Sequence, residues 1–128
     1  MRQGVTALIG LALVAGCAGQ PASQQPTEFR MYRANDRLQL DRIPALNEDE
    51  PGCHDMLLTL RVYRVAQIGF EYCTVYSEKN CREGSEIPVS WKNEEAPVTR
   101  ITQGDRWFLV SDHRRGADMG SWYCAARE

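Results

Sequence analysis

The sequence predicts an all-β domain, a small disulfide-stapled sandwich or barrel. Three observations carry this. The stretch Phe70–Tyr76 (Phe-Glu-Tyr-Cys-Thr-Val-Tyr) alternates with period two and is rich in the aromatic and β-branched residues that fit a pleated, half-buried surface. Short runs of the same kind recur through residues 28–128, separated by turn chemistry at intervals of about 8–12 residues. Four cysteines, Cys53, Cys73, Cys81 and Cys124, lie within that region. An even number in a small exported domain reads as two disulfides.

Export is written at the N-terminus. Arg2 supplies a positive start, Val5–Val14 is apolar apart from Thr6 and Gly10, and the small residues Ala15 and Gly16 lead into Cys17. The run has the layout of a secretory signal and is too short to span a bilayer. Val14-Ala15-Gly16-Cys17 resembles the lipobox of bacterial lipoproteins. That resemblance implies cleavage before Cys17, acylation of its thiol and amine, and removal of residues 1–16 as a signal peptide. Ala18 rather than Asp follows the cysteine, which in that family implies sorting to the outer membrane. Several acyl chains on one residue anchor stably where one alone binds marginally. The chain has 128 residues with 15 Lys and Arg against 17 Asp and Glu, a net charge of −2. Cleavage leaves 112 residues and removes only Arg2, moving the balance to −3. That excludes a general polyanion binder. All the basic residues except Lys79 and Lys92 are arginine, a composition bias that also favours bidentate pairing with carboxylates.

Residues 17–27 are the lipidated cysteine and a tether. Ala18–Thr27 has no large apolar residue and no charge, so it buries too little surface to offset the entropy of ordering. The globular domain then runs over 28–128. Glu28–Arg33 places Phe29 and Met31 on one face and Arg30 on the other, a first strand. Asn35-Asp36 is a turn signal. Leu38, Leu40, Ile43 and Leu46 suit either a short helix or an irregular strand, and Pro44 interrupts both. Asn47–Gly52 is an acidic loop ending in a Pro-Gly breaker; its spacing does not match an EF-hand loop.

Met56–Ala66 reads as a strand with Leu58, Leu60 and Val62 on one face and Leu57, Thr59, Arg61 and Tyr63 on the other. Gln67–Gly69 turns it into Phe70–Tyr76, a predicted hairpin with the latter as central strand. Glu86–Trp91 is a strand in which Pro88 demands an edge or a bulge. Lys92–Ala96 is a polar loop. Val98–Thr102 and Arg106–Ser111, joined by Gln103-Gly104-Asp105, form a second predicted hairpin. Asp112–Gly120 is a charged loop, and Ser121–Ala125 is the last strand. Of the three possible cysteine pairings, Cys73–Cys81 closes a short local loop. Cys53–Cys124 ties the start of the core to its end, a long loop whose closure contributes about 4–5 kcal/mol in the chain-entropy model. That pairing is the one expected here.

Tyr76-Ser77-Glu78-Lys79-Asn80-Cys81-Arg82-Glu83-Gly84, following a strand, resembles the aromatic-initiated hairpin of a βγ-crystallin Greek-key unit. Tyr32 and the Trp107–Ser111 strand stand where analogous units would begin. The resemblance implies Greek-key β architecture. Cys81 occupies the place of the family's second aromatic, and Asp55 with Thr59 matches its calcium motif only in part, so no calcium site is expected.

No catalytic constellation is legible. His54 and His113 each adjoin a carboxylate, Asp55 and Asp112, but there is no GxSxG elbow, and adjacent strand residues point to opposite faces. There is no HxH or HExxH spacing for a metal and no CxxC for redox chemistry. No cofactor is implied. The candidate binding residues are the aromatics Trp91, Trp122 and Tyr123, with Trp107 and Tyr63 as core or further binding surface, and the loop residues His113, Arg114 and Arg115. Aromatic side chains anchor interfaces, and paired arginines reach phosphates or acidic partners. The expectation is a non-enzymatic outer-membrane lipoprotein that faces the periplasm and binds a protein partner or envelope component. The alternative is an inhibitor or immunity lipoprotein presenting the Asp112–Gly120 loop to a lysozyme or toxin.

Overall fold

A computed structural model of the chain describes residues 26–34, 37, 39–91, 98–111 and 115–128. The signal peptide, Cys17, most of the tether, the Asn35-Asp36 turn, the Lys92–Ala96 loop and Asp112, His113 and Arg114 lie outside the described residues. Among the described residues the chain forms β1 (Glu28–Ala34), β2 (Leu40–Ile43), β3 (Gly52–Val62), β4 (Arg64–Ile68), β5 (Tyr72–Tyr76), a 3-10 turn at Lys79–Cys81, β6 (Val89–Trp91), β7 (Val98–Thr99), β8 (Arg106–Val110) and β9 (Ala117–Ala125). The fold is all-β, as the residue pattern predicts.

Two antiparallel sheets share one core. The larger has the order β2-β1-β4-β8-β6-β7 and the smaller β3-β9-β5. The larger sheet turns inward Phe29 and Met31 from β1, Val65 from β4 and Phe108 and Val110 from β8. These meet Val62, Val75, Met119 and Trp122 from the smaller sheet. The rings of Phe29 and Trp122 stack across the gap with centroids 5.8 Å apart. The first strand is held from the start: Thr27 Oγ1 donates to the Asp49 carbonyl (2.7 Å), and Phe29 N donates to that of Glu48 (2.8 Å). Glu28 accepts from Arg30 (2.8 Å) and Arg42 (2.5 Å), and Arg42 also reaches Glu48 (2.8 Å). The Arg30 hydrogen bond, ahead of that from Arg42, holds the Glu28 carboxyl below its ordinary range.

The predicted hairpins are not the ones that form. Phe70–Tyr76 is not a central strand: β5 is an edge, and β9 lies between it and β3. The continuous Met56–Ala66 strand is split at Tyr63, because β3 belongs to the smaller sheet and β4 to the larger. Tyr63 N donates to the Tyr32 carbonyl (2.8 Å) and its own carbonyl accepts from Val110 N (3.1 Å), so the corner is bonded on both sides. β7 and β8 do not pair with each other; β6 lies between them. Pro88 precedes β6, where no ladder donor is needed, and its carbonyl accepts from Ser111 N (2.7 Å). The charged loop expected at Asp112–Gly120 ends early, since Ala117–Gly120 extend β9. Gly120 passes under the 3-10 turn so closely that a Cβ there would lie 2.8 Å from the Glu78 carbonyl carbon.

The four cysteines do pair, but as Cys53–Cys81 and Cys73–Cys124, not as Cys53–Cys124 and Cys73–Cys81. Cys73 and Cys124 stand directly opposite on β5 and β9 with Cα atoms 4.1 Å apart, both fully buried. Cys53 reaches the 3-10 turn over the same sheet. The short Cys73–Cys81 loop is not closed, because Cys73 turns inward while Cys81 lies on the turn outside. Beside Cys73, Thr102 completes a buried polar knot. Its hydroxyl donates to Gln67 Oε1 and accepts from Cys73 N (3.0 Å), and Gln67 Nε2 donates to the Phe70 carbonyl (3.0 Å). Every member is satisfied, as burial requires.

Candidate functional site

The most distinctive surface arises from a register break in β3. Gly52–Asp55 pair with Ser121–Cys124 of β9 and Leu60–Val62 with Ala117–Met119, but residues 56–59 have no partner in that ladder. The bulge cancels strict alternation. Leu57 and Leu58 are therefore both turned out, 81% and 69% exposed, while Met56 is buried and Leu60 half-buried. Opposite them the segment after β2 makes a tight turn, with Asn47 at a positive φ of 60° and Glu50 N donating to its carbonyl (3.2 Å). This turn carries Leu46, 68% exposed, to the facing wall.

Between the two walls lies a groove of about 440 Å³, with Met56, Leu60, Ile43 and Ala45 among its lining residues. Its length follows β3, which among the described residues is an edge strand paired with β9. Asp55 is the one acidic residue among the groove's lining residues; Asp49 and Glu50, which follow the Leu46-Asn47 wall in the chain, are exposed. Asp55 Oδ1 accepts from Asn80 N (2.7 Å), and Lys79 Nζ donates to the Met56 carbonyl (2.6 Å), which tie the bulge to the 3-10 turn.

His54 is also among the groove's lining residues. Its Nε2 is 2.9 Å from the Glu50 carbonyl and 3.2 Å from that of Pro51, and its ring packs 5.3 Å from that of Trp122. Between two carbonyls this nitrogen is a donor, which leaves Nδ1 as the acceptor of the neutral ring. Among the described residues no group of three His, Cys, Asp or Glu is placed to hold a metal.

The sequence-predicted binding residues do not converge. Trp122 is fully buried and belongs to the core, because its position on the middle strand of the smaller sheet points it at Phe29; it is not a surface anchor. Tyr123 is half-buried and meets Tyr72 at 6.2 Å on that sheet. Trp91 is 39% exposed at the end of β6, with the Arg106 guanidinium 4.2 Å above its ring. Trp107 is covered by Arg64 at 4.1 Å, and Tyr63 is half-buried at the corner between sheets. Arg115 is exposed; His113 and Arg114 lie outside the described residues. The groove leucines escape a sequence reading because alternation assigns Leu57 and Leu58 to opposite faces. The run Met56-Leu57-Leu58-Thr59-Leu60 was the available signal, being more apolar than a one-sided strand needs. Comparison with protein-family profiles, curated proteins and solved structures gives no match.

Proposed function

We propose that this chain is a non-enzymatic lipoprotein, anchored through Cys17 in the outer membrane, whose β domain receives an extended segment of a partner protein in the groove beside β3. The observation that carries the reading is the exposure of Leu46, Leu57 and Leu58 around one concavity. Covering a leucine is worth about 1.5–3 kcal/mol, so three gathered at one site form an unfilled apolar interface. The edge of β3 offers main-chain groups to an added strand, the mode in which backbone bonds give affinity and side-chain pockets give specificity. Asp55 in the lining, with exposed Asp49 and Glu50 following the Leu46-Asn47 wall in the chain, favours a segment whose apolar residues are flanked by Lys or Arg. A concave receiving surface fits this role better than an inhibitor's, which inserts a protruding loop into its target; β9 shortens the one loop suited to that.

Two outcomes follow. Selection of displayed peptides on the purified native protein enriches extended apolar sequences with basic flanks. Leu57→Asp and Leu58→Asp weaken their binding at least about tenfold without changing the melting temperature, because both side chains are exposed. Failure to enrich such peptides, or equal binding by the variants, removes the groove from the function. The anchor is tested separately. Cys17→Ala abolishes incorporation of labelled fatty acid and moves the protein from the membrane to the soluble fraction; persistence of either label or membrane association in that variant rejects lipidation at Cys17.

A further inference from the structure

A second concavity, of about 350 Å³, lies between the end of β1, the second half of β3 and the approach to β9. It is lined by Arg33, Ala34, Leu60, Arg61, Tyr63 and Arg115. Three arginines from positions far apart in sequence thus line one concavity, on a chain whose net charge is −2. Arg61 has a carboxylate beside it, Asp118 at 3.7 Å, with side chains 63% and 68% exposed, and Arg33 stands opposite Asp41 in the β1–β2 ladder, so the three arginines share the wall with two solvated carboxylates. Neither Arg33 nor Arg115 has a side-chain ion pair among the described residues. The mutual repulsion of three like charges makes this grouping unfavourable by itself and favourable around an oxyanion.

The backbone fixes the grouping. Gly116, at a φ of 83°, approaches the Val62 carbonyl so closely that a Cβ would lie 2.9 Å from it, and Gly116 N donates to the Val110 carbonyl (3.1 Å). Arg115 N donates to Ser111 Oγ (3.2 Å). The backbone at Arg115 is thereby held beside the corner that carries Tyr63, and its side chain lines the same concavity as Arg33 and Arg61. The cavity is larger than one phosphate needs, and Leu60 and Tyr63 give it an apolar and aromatic side.

We propose that this cavity binds a phosphate group carried on a glycerol or sugar, with Arg33, Arg61 and Arg115 on the oxyanion and Tyr63 beside the hydroxyl-bearing part. Guanidinium forks match phosphate oxygens bidentately, and aromatic faces pack well against the carbon side of a polyol. A lipid headgroup and a soluble sugar phosphate share this chemistry. The two concavities share Leu60 as a lining residue, but Leu57 lines the groove and not this cavity, so Leu57→Asp leaves the arginines in place.

The test titrates glycerol 3-phosphate into the purified mature protein at constant ionic strength, following the arginine side-chain resonances by NMR. Saturable shifts at Arg33, Arg61 and Arg115 are expected, with none from glycerol. The double variant Arg33→Gln/Arg61→Gln binds at least about tenfold more weakly, as loss of charge-assisted bonds to phosphate requires, while its ligand-free melting temperature is unchanged. Arg115→Gln alone supplies a second variant should the double one melt early. The source is read by competition. Displacement by phosphatidylcholine vesicles only when they contain phosphatidylglycerol assigns a lipid headgroup. Displacement by glucose 6-phosphate but not by those vesicles assigns a soluble sugar phosphate. Absence of saturable shifts, or equal affinity of wild type and both variants, overturns the proposal.

Discussion

Removing the disulfides unfolds the domain at 37 °C. Cys53–Cys81 spans 28 residues and Cys73–Cys124 spans 51. In the chain-entropy model, loops of those lengths contribute about 3.5 and 4 kcal/mol. Their sum is comparable with the whole stability of a typical domain, about 5–15 kcal/mol. Cys73→Ala/Cys124→Ala is the more damaging pair, since its loop is longer and both sulfurs are fully buried, so deletion also leaves a cavity. Cys53→Ala/Cys81→Ala releases the 3-10 turn from β3, where Lys79 and Asn80 still hold it through Met56 and Asp55. Urea denaturation of the two double variants, with and without reductant, ranks the losses. Mass spectrometry of proteolytic fragments from the native protein identifies the linked peptides. Recovery of a Cys53–Cys124 peptide, or equal stability of reduced and oxidised protein, contradicts the arrangement.

Trp122→Ala costs about 3–5 kcal/mol, the range for deleting a buried large aromatic. Trp122 is fully buried, stacks on Phe29 at 5.8 Å and supports His54 at 5.3 Å. Its removal opens a void where the two sheets meet and withdraws the ring against which His54 packs. The indole Nε1 has no described hydrogen-bond partner, so Trp122→Phe gives up volume but no polar contact and costs much less than the alanine change. Leu57→Ala, at an exposed position, stays within about 0.5 kcal/mol of wild type. Chemical denaturation of the three variants checks the order. A loss at Trp122→Ala no larger than at Leu57→Ala would show that the inter-sheet core is not organised around this ring.

Local patterning located most of the strands. Glu28–Arg33, the Arg106–Val110 segment and the C-terminal Ser121–Ala125 all carry alternation or β-rich composition that needs no partner to be read. Pairing was less legible. Sequence-adjacent strands joined by good turn residues invite a hairpin, yet β3, β4 and β5 alternate between sheets, because Tyr63 and the Gln67–Phe70 corner are bonded more fully to Tyr32, Val110 and Thr102 than a hairpin would allow. Asp112–Gly120 read as one charged loop, yet Ala117–Gly120 belong to the middle strand because Ala117–Met119 pair with Leu60–Val62, a partner distant in sequence. Both candidate surfaces were hidden for the same reason. The groove depends on a bulge, and the arginine cavity on three residues separated by up to 82 positions, from Arg33 to Arg115.

The sequence by itself determined the all-β class, the first and last strands of the domain and the commitment of four cysteines to two bridges, because periodicity, turn chemistry and cysteine parity are local or compositional properties. Only the tertiary structure decided which cysteines meet, that β9 rather than β5 is the middle strand, and that Leu46, Leu57 and Leu58 share a surface while Trp122 does not. Those outcomes depend on the register of strands distant in the chain, and register is fixed by the packing of one sheet against the other.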